Sequence, residues 1–152
     1  MSIGTNAAKA ALLACVVVVA LTACDPNMSQ GPAAIRRDGA ELVIAICADI
    51  GAEELYLDTW AAGNGTPTIT VIEATGLAVF PKGSEITTGG SMGGLVAEAQ
   101  VAPPMYPGDN VHLQILSTGS EDINAAFVLG EAGLSEAKWL HSDGRESAEP
   151  CW

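Results

Sequence analysis

The chain has 152 residues, 18 acidic side chains against six Lys and Arg, and a formal net charge of −12. A chain this acidic, with no basic stripe, is repelled by nucleic acid and by anionic headgroups, which excludes a nucleic-acid-binding role. Hydrophobic residues make up 49%, enough to build the core of one domain of ordinary size.

In chain order the first element is a leader. Lys9 precedes an unbroken apolar run over residues 10–21, and small residues follow before Cys24, the layout of a secretory signal peptide. The run is about 12 residues long, whereas a bilayer core needs roughly 20 residues of helix. It suits a translocon better than a permanent span.

Leu21-Thr22-Ala23-Cys24 resembles the lipobox of bacterial lipoproteins, a resemblance that covers only the leader and its junction. It implies that residues 1–23 are removed by signal peptidase II and that a diacylglyceryl group is added to the thiol of Cys24. The new amino group is then open to acylation, with palmitate as a typical chain. The protein would be held on the extracytoplasmic face of the cell membrane. The alternative is an ordinary thiol after a generic export cleavage site. Two acyl chains matter because each buried methylene contributes about 0.8 kcal/mol and one chain anchors only marginally. Lys9 is the only charge in the leader, so the rest of the chain stays acidic and the lipid, not charge, must hold it.

Of the four cysteines, Cys15 leaves with the leader and Cys24 takes the lipid. Cys47 and Cys151 remain, and two cysteines left over in an exported protein read as a disulfide. Its loop of about a hundred residues is worth roughly 4–5 kcal/mol in the chain-entropy model. The alternative, a metal or redox pair, finds no C-x-x-C and no histidine near either cysteine in sequence.

Residues 24–34, with two prolines and a glycine among small polar residues, read as a lipidated cysteine and a flexible tether of about 15–30 Å. Residues 35–152 then form a single domain of short β-rich runs between turn signals. Asp38-Gly39 is a hairpin turn feeding residues 41–47, which are apolar on both faces, as a central strand under a covering layer should be. Further runs lie at 55–60, at 68–72 after the GNGTP loop, and at 77–80, then at 85–88, 95–101, 111–116 and 125–129. A last hairpin turns at Asp143-Gly144. Helical periodicity is confined to 134–140, which could make two turns. The expectation is an all-β fold, an immunoglobulin-like or related β-sandwich of about 7–8 short strands. The lipobox, the acidic β domain and the terminal Pro150-Cys151-Trp152 together are also similar to small uncharacterised lipoproteins of high-GC Gram-positive bacteria, a likeness that implies no activity.

The sharpest chemical signal is Gly89-Gly90-Ser91-Met92-Gly93-Gly94, which contains the G-x-S-x-G of a serine nucleophile elbow. A triad of Ser91, Asp122 and His141 could be written down for a small serine hydrolase. The preceding residues are polar, however, and the short run that follows stops at Pro103-Pro104, so the strand and helix of an elbow are missing. A glycine-rich surface loop is the simpler reading, and no enzyme is expected. His112 alternates with apolar residues on a strand, and no stretch fits a calcium loop or a blue-copper set, so neither metal nor cofactor is expected. Trp60, Trp139 and Trp152 could stack sugars, but each has a packing role available. The expected function is a non-catalytic binding or structural module at the cell envelope, meeting a protein or another envelope ligand. Its contact surfaces would be the glycine loop and the PPMYPGD loop around Tyr106.

Overall fold

The computed structural model describes residues 31–61, 68–100, 106–119 and 121–152. The leader, Cys24, most of the tether, the GNGTP loop and Pro103 to Met105 lie outside the described residues.

Ten strands and no helix form among the described residues. They are β1 (Ala33–Asp38), β2 (Glu41–Ile46), β3 (Ile50–Trp60), β4 (Ile69–Phe80), β5 (Ser84–Thr87), β6 (Leu95–Gln100), β7 (Asn110–Ser117), β8 (Ile123–Val128), β9 (Trp139–His141) and β10 (Glu146–Ser147). One sheet has the order β10-β9-β1-β2-β5 and the other β6-β4-β3-β7-β8, with every pairing antiparallel. Ile35, Leu42, Ile44 and Ile86 from the first sheet share one buried core with Leu55, Leu57, Leu113 and Phe127 from the second. The fold is a β-sandwich. Full burial of each such side chain contributes about 1.5–3 kcal/mol.

Alternation explains most of this. Val111, Leu113 and Ile115 are buried while the residues between them are partly exposed, as period two demands. Strand β2 is apolar on both faces because both are covered. Leu42, Ile44 and Ile46 face the main core, and Val43 and Ala45 pack with Ala34 and Trp139 in a second cluster closed by Cys151. The layer expected over this strand is therefore the end of the chain itself.

Three expectations change. Strand β1 starts at Ala33, inside the segment read as tether, with Ala33 and Ala34 buried. The runs at 68–72 and 77–80 belong to one strand, β4, which passes through Gly76 at φ 139°. A Cβ there would press on the carbonyl oxygen of Gly94, so this glycine marks a close backbone approach and not a turn. Residues 134–140 make no helix. The Ser135 hydroxyl accepts from the amides of Ala137 and Lys138 at 3.0 and 3.1 Å, and its carbonyl accepts from Arg37 N at 3.0 Å. That local bonding competes with helix and holds the segment against β1.

Candidate functional site

The Ser91 loop joins β5 to β6 and runs beside β4. Gly90 N donates to Thr87 O at 2.8 Å and Leu95 N to Met92 O at 3.1 Å, so the loop is two successive tight turns. Ser91 is exposed, but Met92 is buried and belongs to the main core. Strand β6 pairs with β4 only as far as Gly76, which leaves residues 77–80 without a strand on that side. Gly93 and Gly94 lie there: a Cβ on Gly93 would touch the Phe80 ring, and one on Gly94 would overlap the Leu77 carbonyl. The glycines let the loop shield an open stretch of sheet edge.

The residues that could be written as a triad have other partners. Asp122 accepts from Ser117 N at 2.8 Å in the β7–β8 turn. His141 lies on β9, in the other sheet from β6, and its Nε2 is 2.8 Å from the Ser147 hydroxyl. The strand-to-helix frame of an elbow is not formed around Ser91, which is followed by turn and strand.

A polar cleft lies elsewhere. Cys47, at the end of β2, is bonded to Cys151 with Cα atoms 5.2 Å apart. Around this disulfide a cleft of about 210 Å³ opens between Gly31, Pro32, His141, Arg145 and Trp152. His141 is buried, and its ring lies 3.8 Å from the Trp152 ring at a tilt of 32°. The Arg145 guanidinium sits 4.6 Å from that indole and bonds Asp143 through Nε at 2.6 Å. The Ser147 hydroxyl also donates to the carbonyl of Glu149. Burial pushes the His141 pKa down, against the opposing pull of Asp143 and the Glu149 carbonyl. The Arg145 main-chain amide, 3.0 Å from Oδ1, together with its guanidinium holds Asp143 below the usual carboxylate range. This arrangement can hold an aromatic lid over a small polar cleft. Sequence reasoning placed the disulfide but not Arg145 or Ser147, whose roles depend on the β9–β10 turn bringing them beside the ring.

At the opposite end of the sandwich Tyr106 is exposed in a tight turn. Its amide donates to Asp109 Oδ2 at 2.8 Å and its carbonyl accepts from Asp109 N at 3.0 Å, with Gly108 at φ 86°. His112 Nε2 lies 2.6 Å from Asn124 Oδ1, and its ring meets Trp60 edge-on at 6.4 Å. Trp139 is buried under Arg36, whose guanidinium is 4.9 Å from the ring. Among the described residues no three His, Cys, Asp or Glu are grouped to hold a metal ion, and no helix is long and apolar enough to cross a membrane. Cys24 lies outside the described residues. No family model, no curated protein and no solved structure matches this chain.

Proposed function

We propose that the protein is a lipid-anchored β-sandwich on the extracytoplasmic face of the cell membrane, acting there as a non-catalytic binding or structural module. The observation that carries this reading is the leader ending in Leu21-Thr22-Ala23-Cys24, seven positions before the described chain begins at Gly31. Supporting it, the Cys47–Cys151 disulfide suits an oxidising compartment outside the cytoplasm. The mechanism is positional. A diacylglyceryl group on Cys24 fixes the chain to the outer leaflet, the short tether limits its reach, and the loops of a rigid scaffold meet the partner. The glycine loop and the Tyr106 turn remain the candidate contact surfaces. Membrane fractions washed with salt and then with carbonate test the anchor: the native chain stays in the pellet and Cys24→Ala is released. A Cys24→Ala chain that resists the wash overturns the reading.

A further inference from the structure

The large exposed apolar side chains of the described residues divide between the two ends of the sandwich. Ile69, Val128 and Tyr106 lie at the end where β3 finishes, since Ile69 pairs with Thr59, Val128 with Asn110, the partner of Trp60, and Tyr106 bonds the neighbouring Asp109. Leu77, Val79, Val96 and Trp152 lie toward the other, exposed by 72, 80, 69 and 64%. Register fixes their place. Val79 pairs with Gly51 and Phe80 with Ile50, the first residue of β3, and Ile50 and Pro32 line one cavity of about 300 Å³. On the other sheet Trp152 follows Cys151, which is bonded to Cys47, whose amide donates to Pro32 O at 2.7 Å. Lys82 reaches the same place, its Nζ donating to the Trp152 main-chain oxygen at 3.3 Å. The chain therefore leaves toward Cys24 from Gly31, which lies against β8 and beside an indole flanked by Lys82 and Arg145, at the same end as the exposed Leu77 and Val79 of β4.

We propose that this Gly31 end of the sandwich rests on the lipid bilayer, with Trp152 on one flank and Leu77 and Val79 on the other entering the headgroup region. The proposal rests on the reading of Cys24 as a lipidated anchor. Seven peptide units from Cys24 to Gly31 span at most about 25 Å when fully extended, so the bilayer is always within roughly one domain's width. The short link converts a weak contact into an intramolecular one. An indole beside Lys and Arg is the pairing that favours this depth, because the ring leaves water while the cations stay among phosphate and carbonyl oxygens. Asp49, Glu121, Asp122 and Asp143, the last paired with Arg145, stand exposed at the same end. The contact is thus apolar in origin, and it weakens as anionic lipid replaces zwitterionic lipid.

The test uses the full lipidated chain in phosphatidylcholine vesicles containing brominated lipid, read by tryptophan fluorescence and by co-sedimentation. Trp152 is quenched, and Trp152→Phe loses most of the quenching. Val79→Trp adds a quenched signal and Val128→Trp, at the far end, adds an unquenched one. Leu77→Asp with Val79→Asp, both at solvent-facing positions, reduces the Trp152 quenching while the circular dichroism of the domain is unchanged. Protein that sediments with the vesicles but shows no quenching, or equal quenching at positions 79 and 128, overturns the orientation and leaves the anchor standing. Protein that fails to sediment overturns the anchor and this proposal with it.

Discussion

His141 sits on β9 with its ring between the Ser147 hydroxyl and the Trp152 indole, and its burial penalises the charged form. A base whose pKa is lower folded than unfolded binds more protons in the unfolded chain. The stability it supports is therefore complete above the ordinary value of 6.5 and falls as pH drops below it. Asp143 acts in a second, more acidic window: its lowered pKa gives stability that is present above 3.8 and lost as pH falls through the folded value. The urea midpoint should decrease from pH 7.5 to pH 5, and the decrease should be smaller in His141→Gln. A slope identical in the two proteins contradicts this account. At the same scale, Gly94→Ala forces a methyl group onto the Leu77 carbonyl and should cost on the order of 2 kcal/mol or more, whereas exposed Ser91→Ala should stay within about 0.5 kcal/mol. Thermal unfolding of the two variants separates a serine that does not matter for folding from a glycine that does.

At the scale of elements, the strands with clean alternation were readable in advance, and β7 is the plainest. Its Val111, Leu113 and Ile115 needed no tertiary information to be placed on one face. The hairpin turns at Asp38-Gly39 and Asp143-Gly144 were equally plain, because Gly39 and Gly144 adopt the positive φ that short turns require. What stayed hidden depends on neighbours distant in sequence. Gly76 reads as a breaker in a single sequence, yet here it lets the Gly94 backbone approach a continuous β4. Residues 134–140 have helical spacing, yet Ser135 bonds its own following amides and docks on Arg37. The GGSMGG motif drew attention as chemistry, and its clearest physical role is to carry Met92 into the core and to lie along the unpaired half of β4. The cleft at His141 was illegible for the same reason, since its wall comes from Gly31, β9 and the residues after β10.

For the whole molecule, the disulfide joins the end of β2 to the last turn of the chain across 104 residues, enclosing eight of the ten strands. The chain-entropy model assigns such a loop roughly 4–5 kcal/mol, and losing it also frees the layer that covers Val43 and Ala45. Cys47→Ala with Cys151→Ala should lower unfolding free energy by about 2–5 kcal/mol, measured by urea denaturation. Amide exchange should accelerate first in β9, β10 and the outer face of β2, before the β3–β4–β7 centre of the other sheet responds. Uniform acceleration across both sheets would show instead that the bond supports the sandwich as one cooperative unit.

That same bond closes a covalent ring from Cys47 to Cys151, with β1, β2 and the segment toward Cys24 hanging from it as a tail. A protease that makes one cut inside the ring opens it without separating the pieces, because the Cys151 fragment stays joined through sulfur to the Cys47 fragment that carries the tail. The Ser91 loop and the turn at Tyr106 both fall inside this arc. A nick at either leaves a two-chain molecule that migrates as one species until it is reduced.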